Sequence, residues 1–177
     1  MKRIGITGPT GAGKTTALQA LVELDAHIID ADAVYHALLE SSAPLRAALT
    51  VRFGPSMGGV VFGDPAALAD LNAITHRFIL AEIDRQAAGA EEQGRSAVAI
   101  DAIALIESGL GETCGAIVGI LAPRELRIRR IMAREGISED YARKRVESQQ
   151  GDGFFRIHCD YLLENRADDT PVSRVSS

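Results

Sequence analysis

The run Gly8-Pro9-Thr10-Gly11-Ala12-Gly13-Lys14-Thr15 restricts the fold more than any other part of this 177-residue chain. It fits G-x-x-x-x-G-K-[ST] without a gap. Glycines let successive backbone N–H groups curl around a phosphate, and the helix that follows adds the positive end of its dipole. The lysine reaches the β- and γ-phosphates, and the threonine hydroxyl suits Mg²⁺. The context is the one the motif needs. An apolar strand candidate, Arg3–Thr7, precedes it, and Thr15–Leu24 follows with Leu18, Leu21 and Val22 on one helical face. The pattern therefore assigns Gly8, Gly11, Ala12, Gly13, Lys14, Thr15 and Thr16 to a nucleoside triphosphate such as ATP, and Thr15 also to Mg²⁺.

Beyond the loop, short apolar runs alternate with longer segments of helical period, which predicts a parallel sheet covered by helices. Further strand candidates are His27–Ile29, Ala97–Ile100, Ala116–Leu121 and Tyr161–Leu163. From Asp32 to about Gln93 the chain offers only helices, three or four of them. Asp64-Pro65 supplies an N-cap and a first-turn proline, and Ile74, Phe78 and Ala81 form an apolar stripe. Pro123–Glu135 reads as a helix stopped at Gly136, and Ser138 caps the next. The tail after Asn165 is polar and aperiodic, so it is expected to be loosely held.

His27-Ile28-Ile29-Asp30-Ala31-Asp32 puts two carboxylates at the C-terminal end of the second strand. In open α/β sheets that rim faces the ligand crevice. If the chain is still extended there, both side chains point the same way, one to take a proton from an attacking hydroxyl and one to hold Mg²⁺ through water. Alternatively, Asp32 caps the following helix. Asp101, at the end of the third strand, is either a further acidic contact to metal-bound water or substrate, or a buried structural group.

Eight of the 19 basic residues lie between Arg124 and Arg145. Arg127, Arg130 and Arg134 share one helical face, and Arg145 and Gln149 share another. Two arginine-bearing helices joined at Gly136 are suited to fold over a triphosphate as a lid. The competing reading is a solvated helix pair, with the arginines bound to Glu125, Glu135 or Glu139.

Taken together, these segments resemble the dephospho-coenzyme A kinase family. The likeness rests on the loop, on Asp30-Ala31-Asp32 with His36 following, on Ile74-Thr75-His76, and on Arg130–Gln149 with its arginines and terminal glutamine. The resemblance implies transfer of the ATP γ-phosphoryl group to the 3′-hydroxyl of dephospho-coenzyme A. Asp32 would be the base, and Lys14 would work with it. His36 and His76 would lie on the substrate side with Asp30 and Asp101, and Arg130, Arg134 and Arg145 would grip ATP. Departures from the family pattern are Arg77 in place of a proline, Asp101–Glu107 without its proline, and a short stretch between Phe53 and Phe62. A nucleoside or nucleotide kinase of the same architecture, or a catalytically impaired ATP-binding regulator, is the alternative.

The expected fold is thus the P-loop α/β fold: a five-stranded parallel sheet flanked by helices. A nucleotide-binding core, 1–31 plus 95–177, would carry a lid at about 124–150, and a helical substrate domain would span 32–94. Composition agrees with one globular domain, at 46% hydrophobic and 24% charged residues. A net charge of −5 argues against a general nucleic-acid binder. Two cysteines make no disulfide framework, the N-terminal apolar run is broken by Gly8 and Pro9, and no run approaches a membrane span. The expectation is a cytoplasmic protein without nucleic-acid or membrane partners, a monomer or weak homo-oligomer.

Overall fold

The computed structural model describes residues 1–54, 64–166 and 173–175. The short stretch after Phe53 singled out above falls, from residue 55 to 63, outside the described residues. The chain runs β1 (Lys2–Thr7), α1 (Lys14–Glu23), β2 (Ala26–Asp30), α2 (Ala31–Ser41), α3 (Ala43–Phe53), α4 (Pro65–Glu92), β3 (Ala97–Asp101) and a 3₁₀ turn (Leu110–Thr113). It continues through β4 (Ala116–Leu121), α5 (Arg124–Glu135), α6 (Glu139–Glu147), α7 (Asp152–His158), β5 (Tyr161–Glu164) and β6 (Ser173–Val175).

The sheet order is β2-β3-β1-β4-β5-β6. β1 to β5 are parallel, as their apolar runs imply for strands covered on both faces. Alternation within a strand sorts its residues between two cores. Val98 and Ile100 of β3 pack with Ile83, Ala87 and Ala90 of α4. Ala99 joins Ile6, Ala17 and Leu126 on the other face. A third cluster, Ile128, Ile131, Ala142 and Val146, welds α5 to α6.

Two expectations need correction. The tail is not without structure: Ser173–Val175 adds an antiparallel sixth strand, pairing Leu162 with Val175 and Glu164 with Ser173. An edge strand presents unpaired backbone groups that accept another strand, and three residues are too short to show an alternating pattern. The buried stripe of α4 is also not Ile74, Phe78 and Ala81. It is Thr75, Ile83, Ala87 and Ala90, with Ile79 half-buried against the same core, while Ala81 is exposed. Both stripes have helical spacing, and Thr75 disguises the true one. Its hydroxyl donates to the Leu71 carbonyl at 2.8 Å, so a polar residue sits in the core face at little cost. Helix α7 was not foreseen, its seven residues offering too little periodicity.

Helix boundaries follow from their caps. Asp64 accepts from the Ala66 N–H ahead of α4, Ser42 from Leu45 ahead of α3, and Ser138 from Tyr141 ahead of α6. Gly136, in the left-handed region at φ 65°, ends α5 and turns the chain into α6.

Candidate active site

The phosphate loop leaves β1 at the C-terminal rim of the sheet and enters α1 at Lys14. All three of its glycines are required by contact as well as by backbone angle, Gly8 and Gly13 most strictly. A Cβ on Gly8, at φ 144°, would lie 2.2 Å from the Ile120 carbonyl oxygen of β4. One on Gly13, at φ 95°, would lie 2.2 Å from Nδ2 of Asn165. Gly13 is the N-cap of α1 and contributes no side chain to it, so no capping group blocks the helix end where an anion binds. Ala12 is fully buried beneath the loop, while Thr15 and Thr16 are exposed in the first turn of α1.

Lys14 lies among the acidic residues of the neighbouring strands. Its Nζ donates to the Gly8 carbonyl at 3.4 Å. Burial lowers its pKa. Asp101 opposes that most strongly, followed by Asp32, with Arg134 lowering it further and Asp30 raising it. Asp101 shows the reciprocal effect: burial raises its pKa, Lys14 opposes the rise, and Asp30 and Asp32 add to it. Strand register explains the grouping. Asp30 at the end of β2 pairs with Asp101 at the end of β3, and Asp101 pairs with Ile6 two residues before Gly8.

The two aspartates after β2 do not share an extended segment, contrary to that expectation. Helix α2 starts at Ala31 with Asp30 as its N-cap, and the Asp30 carboxylate accepts from the Ala33 N–H at 2.9 Å. The capping role considered for Asp32 therefore belongs to Asp30. Asp32 sits in the exposed first turn and borders a cleft together with Tyr35, Asn72, His76, Ala104 and Ser108. Nε2 of His76 is buried there without a hydrogen-bond partner among the described residues, as is Oδ1 of Asp101. A buried polar atom left unpaired is costly, which points to an external partner. His36 is exposed, its ring 5.7 Å from that of Tyr35, and is not among the residues lining the cleft.

Helices α5 and α6 divide their basic residues among three tasks. Arg130 faces the loop: Nη1 donates to the Gly11 and Ala12 carbonyls at 3.2 and 3.4 Å, and Nη2 to Oδ1 of Asn165 at 3.2 Å. Arg134 and Arg145 both pair with Glu135, the former at 2.6 Å, and Arg134 also acts electrostatically on Lys14. Arg143 pairs with Glu125 and Glu139, and Lys144 with Asp140, on the solvent side. The competing reading of arginines paired to Glu125, Glu135 and Glu139 thus holds for part of the group. Arg127 differs from its face-mates. It is 5% exposed and is held within the structure by Thr10 and Gln149.

Asn165 escaped the sequence reading. It is buried just past β5, donates its N–H to the Leu121 carbonyl at 2.7 Å, and lies against Gly13 and Arg130. Its only signal is that it is a polar residue ending a strand at the ligand rim.

Comparison with known proteins agrees with this arrangement. A family model for dephospho-CoA kinase matches residues 2–170. A dephospho-CoA kinase of Dehalococcoides mccartyi is 36% identical, the match covering 93% of this chain and 89% of that one. One of Corynebacterium efficiens is 33% identical over 93% and 88%. Among solved structures, a Thermus thermophilus protein superposes with a TM-score of 0.77 at 26% identity, covering 94% of this chain and 90% of that one. The dephospho-CoA kinase from Campylobacter jejuni gives 0.64 at 25%, covering 95% and 90%. A shikimate kinase from Bacteroides thetaiotaomicron, 18% identical with a TM-score of 0.51 over 92% and 85%, shares the fold alone. With a glycine loop set against β4, a lysine among three rim carboxylates and a family match over nearly its whole length, this chain belongs to the dephospho-CoA kinase family.

Proposed function

We propose that the protein transfers the γ-phosphoryl group of ATP to the 3′-hydroxyl of dephospho-coenzyme A, releasing ADP. The observation that carries this reading is the place of Asp32. Its carboxylate is not spent on a cap, lies within electrostatic reach of Lys14, and borders the cleft that holds the unpaired His76 nitrogen. A hydroxyl group entering from that cleft meets a proton acceptor on its way to the phosphate loop.

In this reading the backbone of Gly8, Gly11, Ala12 and Gly13 surrounds the phosphates. Lys14 holds the β- and γ-phosphates, and Thr15 and Thr16 lie at the helix end below them. Asp32 takes the 3′-hydroxyl proton as the new O–P bond forms and the bond to the β-phosphate oxygen breaks. Arg130, Arg134 and Arg145 offset charge on the transferring group, the last two by exchanging Glu135 for phosphate. Asp30 supports the site by fixing the start of α2 beside it. His76 takes the acceptor, and His36 lies farther out on the same helix as Asp32. Mg²⁺ fits the donor set: the Thr15 hydroxyl is exposed at the loop, and Asp101 has a buried oxygen without a partner among the described residues. When bound, the ion would neutralise phosphate charge.

The setting we propose is the cytoplasm, where ATP is supplied and the free thiols of Cys114 and Cys159 stay reduced. Among the described residues, no helix is long and apolar enough to cross a membrane. A coupled ADP-release assay tests the assignment, with dephospho-coenzyme A beside AMP, CMP and nucleosides as acceptors. Turnover with dephospho-coenzyme A at least tenfold above the others is expected. Preference for a nucleoside or nucleotide would replace the acceptor, and ATP binding without turnover on any of them would indicate a regulator.

A further inference from the structure

Thr10 stands in the phosphate loop, yet all three of its polar groups are taken by side chains from the lid. Its N–H donates to Oε1 of Gln149 at 3.1 Å. Its hydroxyl accepts from Nε2 of Gln149 at 2.7 Å, and its carbonyl accepts from Nε of Arg127 at 3.0 Å. Nη2 of Arg127 closes the arrangement by donating to the same Gln149 oxygen at 2.7 Å. Arg127 belongs to α5 and Gln149 follows α6, so each lid helix contributes one member, and the apolar cluster between the helices keeps the two in register.

The arrangement has a consequence for the loop. A trans peptide unit carries its carbonyl and its N–H on opposite sides. Arg127, by holding the Thr10 carbonyl towards the lid, turns the Gly11 N–H away from it. One turn further along α5, Arg130 does the same at the Ala12 carbonyl and so for the Gly13 N–H. Glycine-rich backbone has no side chains to hold such an orientation, and a buried guanidinium bonded to both the Thr10 carbonyl and the Gln149 side chain is a strong substitute.

We propose that Arg127 and Gln149 are positioning residues for the nucleotide: through Thr10 they hold the loop peptides in the orientation that receives phosphate and tie the loop to the lid. The proposal rests on the ATP-binding reading of the loop and not on the identity of the acceptor.

The test is calorimetric titration of Gln149→Leu with ATP and, separately, with dephospho-coenzyme A. Leucine keeps the volume but leaves Thr10 and Arg127 without their partner. The expected result is an ATP affinity about tenfold weaker, with dephospho-coenzyme A affinity within twofold of wild type. Gln149→Glu should restore ATP binding to within about threefold, because a carboxylate accepts from the Thr10 N–H, the Thr10 hydroxyl and Arg127 alike. ATP binding by Gln149→Leu within twofold of wild type would overturn the proposal, as would an equal loss for both ligands or no rescue by glutamate. Should Gln149→Leu not fold, Thr10→Val decides, since it removes only the hydroxyl; unchanged ATP affinity there would also overturn it. A wild-type protein that binds ATP but not dephospho-coenzyme A would refute the acceptor assignment and leave the ATP measurements fully interpretable.

Discussion

The two sides of the site are built on opposite plans. On the phosphate side the loop's carbonyls are bonded within the protein: Thr10 to Arg127, Gly11 and Ala12 to Arg130, Gly8 to Lys14. On the cleft side polar atoms of His76 and Asp101 are buried without partners among the described residues. The first plan organises the binding surface before ligand arrives, which reduces the ordering cost of binding. The second stores unsatisfied groups that only a ligand can complete, which favours discrimination, since a molecule lacking the matching group leaves them unpaired. Phosphates are common to all nucleoside triphosphates, whereas the acceptor must be chosen.

Lys14→Ala should show the largest effect, because it removes the cation that stands between the loop and the carboxylates of Asp32 and Asp101. A loss of about 1,000-fold in kcat/KM is expected, with the melting temperature little changed. Activity above about a tenth of wild type, an effect under ~1.4 kcal/mol, would mean that the loop backbone alone carries the phosphates.

Asp32→Asn tests the boundary between the sides. A base acts only as the proton leaves, so kcat should fall at least ~100-fold with near-normal ATP binding by calorimetry. Asp30→Asn should act more mildly on kcat, since asparagine is also a good N-cap. If Asp30→Asn is the more damaging, the two roles are reversed.

Asp101→Asn, measured without nucleotide or Mg²⁺, should have the smallest effect, and on stability. The folded-state pKa of Asp101 is raised, so the protonated form is favoured by folding. Its stabilising contribution is present below the unfolded-state value of about 4 and is lost as pH rises through the folded value. The variant should therefore melt a few degrees above wild type at pH 8, with the gap narrowing as pH is lowered through the folded-state value. A gap that does not depend on pH would show that the carboxylate is already satisfied.

Parts of this arrangement were legible in the linear chain for a definite reason. The phosphate loop, the caps at Asp64 and Ser138 and the stop at Gly136 involve groups a few residues apart, so their geometry is written into neighbouring side chains. The apolar runs of the parallel strands are similarly local. Asp30 and Asp32 were legible as a pair but not as individuals, because the division of labour depends on whether the helix begins one residue earlier or later. The stripe on α4 was misread because helical spacing permits two faces, and only the packed sheet selects Ile79, Ile83 and Ala87.

Residue chemistry and local spacing alone thus determined a phosphate-binding loop between a strand and a helix, in an α/β sheet with carboxylates at its rim. Tertiary structure alone decided which groups that loop meets. The strand order sets Asp30 beside Asp101 and, through β1, both beside Lys14. It brings Asn165 against Gly13 and Gln149 to Thr10 across 139 residues. It also buries Arg127 while leaving Arg143, on the next helix, in solvent contact. Hydrogen bonds and burial over such separations depend on how the layers stack, and no periodicity within a single segment records that.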